Sequence, residues 1–285
     1  MADTRQVRRS RGPVTYALRI FVVLYLFVLV AWPVSEVAKR TFAPIEQGAP
    51  GGVGAFLERL QDPTVTYAFS LTATCAVWAV LINTVFGVGI SLLLVRYRFP
   101  GRRVLSVLVD LPMSVSPVVV GLALVLAYSS GDGWFGETLE SAGIFIIGST
   151  PGLIMATAFV SLPLVIREIV PVLHEIGTEQ EQAATSLGAG PWQTFWRITL
   201  PSIKWALVYG VVLSLARALG EFGAVKVVSG NIAQQTQTAT LVVEEKYQDF
   251  EQGSAYATSF LLALIAVAAL VVVTILRPKD ETDGE

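Results

Sequence analysis

Six apolar blocks, each near or above the length of a bilayer crossing, leave this chain few ways to fold. A hydrocarbon core about 30 Å thick takes about 20 apolar residues in a helix, and the blocks run over residues 15–38, 64–95, 104–128, 151–166, 202–228 and 255–276. Each has to be helical, because only a helix satisfies its own backbone groups in lipid. None alternates with the period of two that a barrel strand needs. Composition agrees. Charged residues are 15% of the 285 and apolar residues 53%, too few charges to cover a water-soluble surface. A net charge of -2 gives no basic face for nucleic acid. One cysteine, Cys75, and one histidine, His174, exclude a disulfide framework and a histidine or cysteine metal cluster.

The distribution of Lys and Arg orients the spans. Arg5, Arg8, Arg9, Arg11, Arg19, Arg96, Arg98, Arg102, Arg103, Arg167, Arg197, Lys204, Arg277 and Lys279 fall on one side, and Lys39, Arg40, Arg59 and Lys246 on the other. Fourteen against four predicts both termini in the cytoplasm of a multi-pass inner-membrane protein. The expected organisation is a basic cytoplasmic segment at 1–14, a six-span domain at 15–276 and a cytoplasmic tail at 277–285. The first block reads as an uncleaved span, too long for a signal-peptide core. Two outer segments stand apart, 42–62 and 229–253. The second leads from the polar run Gln234–Thr238 into Leu241, Val242 and Val243, which suits either a short surface helix over the bundle mouth or a surface loop.

Between the fourth and fifth blocks lies a long connection, 174–201, with helical content. Residues 179–187 are good helix formers with acids near the start. Gly188, Gly190 and Pro191 interrupt them, and 192–199 can form a second short helix entered by Pro191. Such a pair either docks in a partner's groove or lies on the membrane as an amphipathic connector. In the fifth block Gly210, Ser214, Arg217 and Glu221 follow at steps of four, three and four, which places them on one helical face. Beside them Ala216, Gly220, Gly223 and Ala224 form a small-residue stripe for close packing. The polar face borders a translocation path or gate, or holds a purely structural ion pair; a sharper version has Arg217 touch the cargo. In the third block Asp110, Ser114 and Pro117 share a face, and Pro112 and Pro117 predict a kink or break whose freed backbone groups can face a cavity; Asp110, about 10 Å of helix beyond Arg103, reads as a residue of the cytoplasmic interface.

The connection resembles the EAA loop of ABC-importer permease subunits: Gln182, Ala183, Ala184, Gly188, Ile198, Leu200 and Pro201 fall at that loop's spacing, with Gln182 in place of the usual Glu and Glu181 just before it. ARALGEFGA at 216–224, DLPMSVSPVVVG at 110–121 and SLPLVIREIVPVLHE at 161–175 resemble the oxyanion-importing branch, and among its families the CysW-type sulfate/thiosulfate transport permeases. The resemblance implies an all-α polytopic fold of type I ABC importer permease architecture. It implies two ATPase subunits, a second homologous permease, an extracytoplasmic sulfate-binding protein and a surround of membrane lipid as partners. ATP and Mg would be held by the ATPases and no cofactor by this chain, which has no Gly-Lys dipeptide and so no phosphate loop of the G-x-x-x-x-G-K type. Glu181, Gln182, Ala183, Ala184, Gly188, Ile198, Leu200 and Pro201 would form the ATPase-coupling loop, and Ser114, Ser214, Arg217 and Glu221 would lie at the path or gate. ARALGEFGA also occurs in molybdate permeases, which leaves molybdate or tungstate as the alternative cargo. An autonomous secondary carrier or channel is the alternative class.

Overall fold

A computed structural model describes residues 13–44, 51–131 and 133–276. Residues 1–12 and the tail 277–285, with the basic residues expected to orient the chain at its two ends, lie outside the described residues. Within them the chain is helical throughout. Helix α1 (Pro13–Leu26) passes through a π-helical turn (Phe27–Ala31) into α2 (Trp32–Phe42), and α3 (Val53–Leu60) is short. Helix α4 (Pro63–Arg96) is the longest, followed by α5 (Arg102–Ser114), α6 (Pro117–Tyr128), α7 (Gly136–Ser141) and α8 (Thr150–Glu175). Then come α9 (Glu179–Ser186), α10 (Pro191–Thr194), a π-helical turn (Phe195–Thr199), α11 (Leu200–Leu219), α12 (Gly223–Ser229), α13 (Ala239–Gln248) and α14 (Gln252–Leu276).

Five helical stretches are long and apolar enough to cross a membrane: Val14–Phe42, Pro63–Arg96, Thr150–Glu175, Pro191–Leu219 and Gln252–Val272. The third expected span is the sixth only if α5 and α6 are taken together, because their axes turn by 116° at the joint. The cause is local. Pro117 disfavours the helical region at the residue before it, and Ser116 is extended (φ -59°, ψ 135°), as is Val115 (φ -106°, ψ 142°). Pro117 then opens α6 at its first position. Pro112, the other expected break, stays inside α5.

The centre of the bundle is α4, α8 and α11 packed on one another. Their contact depends on glycine. A Cβ at Gly87 of α4 would sit 2.8 Å from Val165 Cγ1, and one at Gly210 of α11 would sit 3.0 Å from Val165 Cα. Around this point Val88, Val165, Ile169, Leu173 and Ile203 form one apolar cluster. At the same centre Asn83 of α4, fully buried, donates from Nδ2 to Ala158 O at 3.1 Å and Ser161 Oγ at 2.9 Å on α8 and approaches Ser214 Oγ on α11 at 3.4 Å. In a lipid-facing protein such bonds are worth about 1 kcal/mol each, and they fix the rotation of one helix against the next.

The first span is peripheral. Thr41 is the buried residue of α2, and its hydroxyl donates to Tyr256 O at 3.1 Å while Phe42, Phe56 and Phe260 pack edge to face beside it. The segment 229–253 is a surface feature only at its two ends, and its middle is buried. Thr236, Gln237 and Thr238 are buried, and Leu241 and Val242 of α13 pack into the bundle with Leu71, Cys75, Leu153, Val65 and Ala68. The expected surface helix is thus an inserted one.

At the end of the bundle where α4 begins, Lys246 Nζ lies 3.2 Å from Asp62 Oδ2 and 2.7 Å from Glu251 Oε2. Burial works to raise the Asp62 carboxyl, but the Thr64 backbone N–H and the Lys246 ammonium outweigh it and hold its pKa below the usual value. Burial likewise works against the Lys246 ammonium, but the Glu251 and Asp62 carboxylates prevail and raise its pKa. A depressed carboxyl contributes stability above its unfolded pKa of about 3.9 and loses it as pH falls through the folded value, whereas a raised lysine loses its contribution only above about pH 10. The stabilising difference between native protein and Asp62→Asn, read as thermal midpoints in detergent, is therefore expected to be level from about pH 5 to 10 and to close as pH falls below about 4.

Candidate functional site

Helix α9 has no buried residue and stands clear of the bundle. One contact group holds it. Arg96, the last residue of α4, places Nε 2.9 Å from Glu181 Oε2 and Nη2 3.3 Å from Glu181 Oε1, with the two side chains 11% and 20% exposed. The same guanidinium donates from Nη1 to Leu173 O at 2.9 Å and from Nη2 to Gly177 O at 2.7 Å, satisfying carbonyls at the C-terminus of α8 where a cation also suits the helix dipole. Thr199 Oγ1, at the entrance of α11, donates to Glu181 Oε1 at 2.8 Å. Arg96 and Glu181 therefore join α4, α8, α9 and α11 in one knot.

Glu181 takes this part rather than Gln182. The Gln182 amide is exposed and donates from Nε2 to Thr178 Oγ1 at 2.9 Å within its own turn. The carboxylate that ties α9 to the bundle is one residue before the position that the spacing marks. Ala183 is exposed and Ala184 half-buried. Gly188, just past the end of α9, has φ +87°, and a Cβ there would meet nothing within 4 Å. The demand for glycine is thus conformational: a side chain at positive φ costs about 1–2 kcal/mol. The second helix of the pair is not a separate unit. From Pro191 the chain runs through the π turn into α11 as one 29-residue helix. The π turn precedes Pro201, which has no N–H to give to the turn before it. Ile198 is half-buried, Leu200 packs against the Val88–Ile203 cluster, and Pro201 is exposed. Leu187 (89% exposed) and Trp192 (73%) leave a large apolar surface uncovered beside α9.

The second group lies at the end of α11. Ser214 is fully buried in the Asn83 centre, so it belongs to the packed core and not to an open polar face. Glu221 is not on the α11 helix at all, because α11 ends at Leu219 and the chain turns through Gly220, Glu221 and Phe222 before α12. Arg217 Nη1 still reaches Glu221 Oε2 at 2.7 Å. The other carboxylate oxygen, Oε1, accepts the Ala224 N–H at 3.0 Å, and the Glu221 carbonyl accepts the Thr240 hydroxyl at 2.8 Å. The buried carboxylate (2% exposed) thus joins α11 to α12, and the backbone carbonyl of the same residue adds α13, while Arg217 is 37% exposed. Ser114 is exposed at the end of α5, its Oγ 3.4 Å from Asp110 O.

The two breaks touch. A Cβ on Gly223, the first residue of α12, would sit 3.0 Å from Pro117 Cβ and 3.3 Å from Val118 N, so the α5–α6 joint lies against the α11–α12 joint. Among the described residues no group of three or more His, Cys, Asp or Glu side chains is placed to hold a metal ion. The sequence did not single out Arg96 or Asn83 as site residues, and it left Asp110 without its partner, Arg167.

The sequence model of the family described as "Binding-protein-dependent transport system inner membrane component" matches residues 83–279. The chain is similar to two Escherichia coli (strain K12) proteins. One, "Sulfate transport system permease protein CysW", is 44% identical over 286 residues, covering 99% of this chain and 95% of that protein. The other, "Sulfate transport system permease protein CysT", is 36% identical over 260 residues, covering 91% and 90%. Its backbone resembles a chain of a bacterial alginate ABC transporter crystallised with an alginate-pentasaccharide-bound periplasmic protein. The TM-score is 0.74 at 18% identity, over 91% of this chain and 92% of that one.

The knot generates a test. Removing one partner of a largely buried ion pair strands the other, at a cost of about 3–5 kcal/mol. Glu181→Gln and Arg96→Gln are expected to speed amide hydrogen exchange across 179–186 by two or more orders of magnitude, while Gln182→Ala leaves it within about threefold of native. Equal exchange in the Glu181 and Gln182 variants would remove the knot as the anchor of α9.

Proposed function

The chain belongs to the binding-protein-dependent transport system inner membrane components, and we propose that it is a permease subunit of an ATP-driven sulfate importer. The observation that carries the cargo is the 44% identity to a sulfate transport permease over nearly the whole of both chains. On this reading both termini lie in the cytoplasm, and so does the end of the bundle that bears Arg96. One of two ATPases seats on α9 and on the apolar surface of Leu187 and Trp192. A second permease completes the path, an external sulfate-binding protein delivers the anion, and ATP with Mg is bound by the ATPases alone.

Mechanism follows from what α9 is tied to. A pull on α9 reaches Glu181, and through Arg96 and Thr199 it reaches the ends of α4, α8 and α11 together. Those three helices are locked at their centre by Gly87, Gly210 and Asn83 and move as one body. The joints that can turn are the two abutting breaks. At one of them sits the Arg217–Glu221 pair, which serves as a gate: closed, it holds α11 against the start of α12; opened, it frees a half-exposed guanidinium beside the path. A paired arginine attracts an oxyanion weakly, which suits a passage more than a storage site.

Proteoliposomes holding this chain, a second permease, the ATPase and the binding protein are expected to take up labelled sulfate only with ATP, with thiosulfate competing better than molybdate. Stronger competition by molybdate would reassign the cargo, and ATP-independent uptake would reassign the class. In the same system Gly188→Val is expected to insert and assemble normally and to keep ATP hydrolysis while losing at least about tenfold in uptake, because a strain of about 1–2 kcal/mol falls on the loop alone. Full coupled uptake in that variant would remove the coupling role of the loop.

A further inference from the structure

Helix α5 carries an open polar stripe. Arg103, Ser106, Asp110 and Ser114 follow at steps of three, four and four, which places them along one line of the helix. Arg103, Ser106 and Ser114 are exposed, and Asp110 is half-open. Val109 and Pro112, on the side turned to the bundle, are buried; Val104, Leu108 and Leu111 leave an apolar surface open on the other side. Arg167 of α8 lies beside the stripe and donates from Nη2 at 2.8 Å and from Nε at 3.1 Å to one oxygen of Asp110, Oδ1. The two side chains are 51% and 47% exposed.

Depth makes this arrangement informative. Asp110 is eight residues into α5 from Arg102, and Arg167 is eight residues before Glu175 at the end of α8. Both are therefore about 12 Å along their helices from the Arg96 end of the bundle. With a hydrocarbon core about 30 Å thick and α4 about 51 Å long, that places the pair near the inner edge of the core, where an ion pair open on both sides still favours water or another polar group over lipid. A lone ion pair could be met by a neighbouring chain. A stripe that begins at the arginine-rich turn of Arg98, Arg102 and Arg103, continues through two hydroxyls and an ion pair, and ends at the Val115–Ser116 joint presents one continuous polar face, which suits water better than lipid. That joint abuts the break that holds Arg217 and Glu221.

Resting on the permease reading above, we infer that the α5 stripe with Arg167 lines the inward half of the translocation path, the water-filled exit through which a hydrated oxyanion leaves for the cytoplasm. Arg167 is the cation of that exit and Asp110 is its positioning residue. The bidentate contact to one carboxylate oxygen fixes the guanidinium in place and leaves the pair without net charge. The anion meets a donor that it can touch but on which it does not settle, and release is not slowed.

Cysteine accessibility tests the assignment. Cys75 is the chain's one cysteine and is buried, so Cys75→Ala serves as parent. In inside-out vesicles holding the assembled transporter, a permanently charged thiosulfonate reagent is expected to modify Ser106→Cys and Ser114→Cys at least about tenfold faster than Leu108→Cys and Leu111→Cys, because lipid excludes the charged reagent. Either serine position, being nearly isosteric with cysteine, suffices if the other variant fails to assemble. Equal rates at all four positions, or slow modification at the serine positions because a partner chain covers them, would overturn the exit. Sulfate uptake by the native chain reports separately: no ATP-driven uptake there sinks the permease reading, whereas uptake by the native chain and the Cys75→Ala parent with unreactive serine positions sinks only the lining of the path.

Discussion

A peptide group in hydrocarbon has no water to bond to, and this chain is arranged around that fact. Its crossings are helices, and among the described residues the backbone departs from helix within the bundle at two joints, Val115–Ser116 and Gly220–Phe222, and in the buried run Thr236–Thr238. Each joint is provided for. The Val115 N–H bonds to Leu111 O at 3.1 Å. Glu221 supplies its carboxylate to the Ala224 N–H and its carbonyl to the Thr240 hydroxyl. The two joints also lie against each other, with Gly223 on Pro117. Irregular backbone at membrane depth is tolerated where protein or a water-filled cavity covers it, so gathering both joints in one place limits the region that needs such cover.

The same scarcity of water ranks the ion pairs. Arg96–Glu181 is the most enclosed on both sides, and Arg96 also serves two carbonyls of the α8 terminus, so its loss strands several groups at once. Arg217–Glu221 is divided, with the carboxylate buried and the guanidinium more than a third open. Asp110–Arg167 is half open on both sides and contributes little to stability, as exposed pairs do. A pair worth little to the fold but placed at depth asks for a role outside the fold. A pair that ties four helix ends does not.

What was legible in the sequence divides along the same physical line. The apolar spans themselves, the helix at 179–187 and the break before Pro117 are local properties of residue type and period, and they stand in the sequence; the bounds of the fourth and fifth spans do not, for these run over Thr150–Glu175 and Pro191–Leu219 instead of 151–166 and 202–228. The break at Gly220–Phe222 was hidden because Gly210, Ser214, Arg217 and Glu221 keep helical spacing straight through it. The small residues Gly220 and Gly223, read as a packing stripe, are also the helix-weakening residues on either side of Glu221. The partners of Arg96, Asn83 and Arg167 were illegible for another reason. They lie 85, 78 and 57 residues away along the chain, and no periodicity reports a contact made by packing. The spacing that marked Gln182 found the right turn of the right helix, but the burial that makes Glu181 the anchor exists only once Arg96 is brought to it.

Helix α4 shows why the joints must express any motion imposed at α9. Its 34 residues extend about 51 Å, from the Asp62–Lys246 contact at one end to the Arg96–Glu181 contact at the other. Between them it is fixed to α8 and α11 by contacts that leave no room for a Cβ at Gly87 or Gly210. Close-packed interiors do not deform by small continuous amounts, so a displacement entering at Arg96 is carried by the three helices as a body. Segments attached to that body through single bends are the ones that can change angle against it. Helices α5 and α6 meet at one such bend and α11 and α12 at the other, and the polar side chains without a structural duty lie beside these bends. A rigid centre with two adjoining hinges converts a push at one face of the membrane into a change of angle near its middle, and in the proposed importer that change alternates the open side of the path.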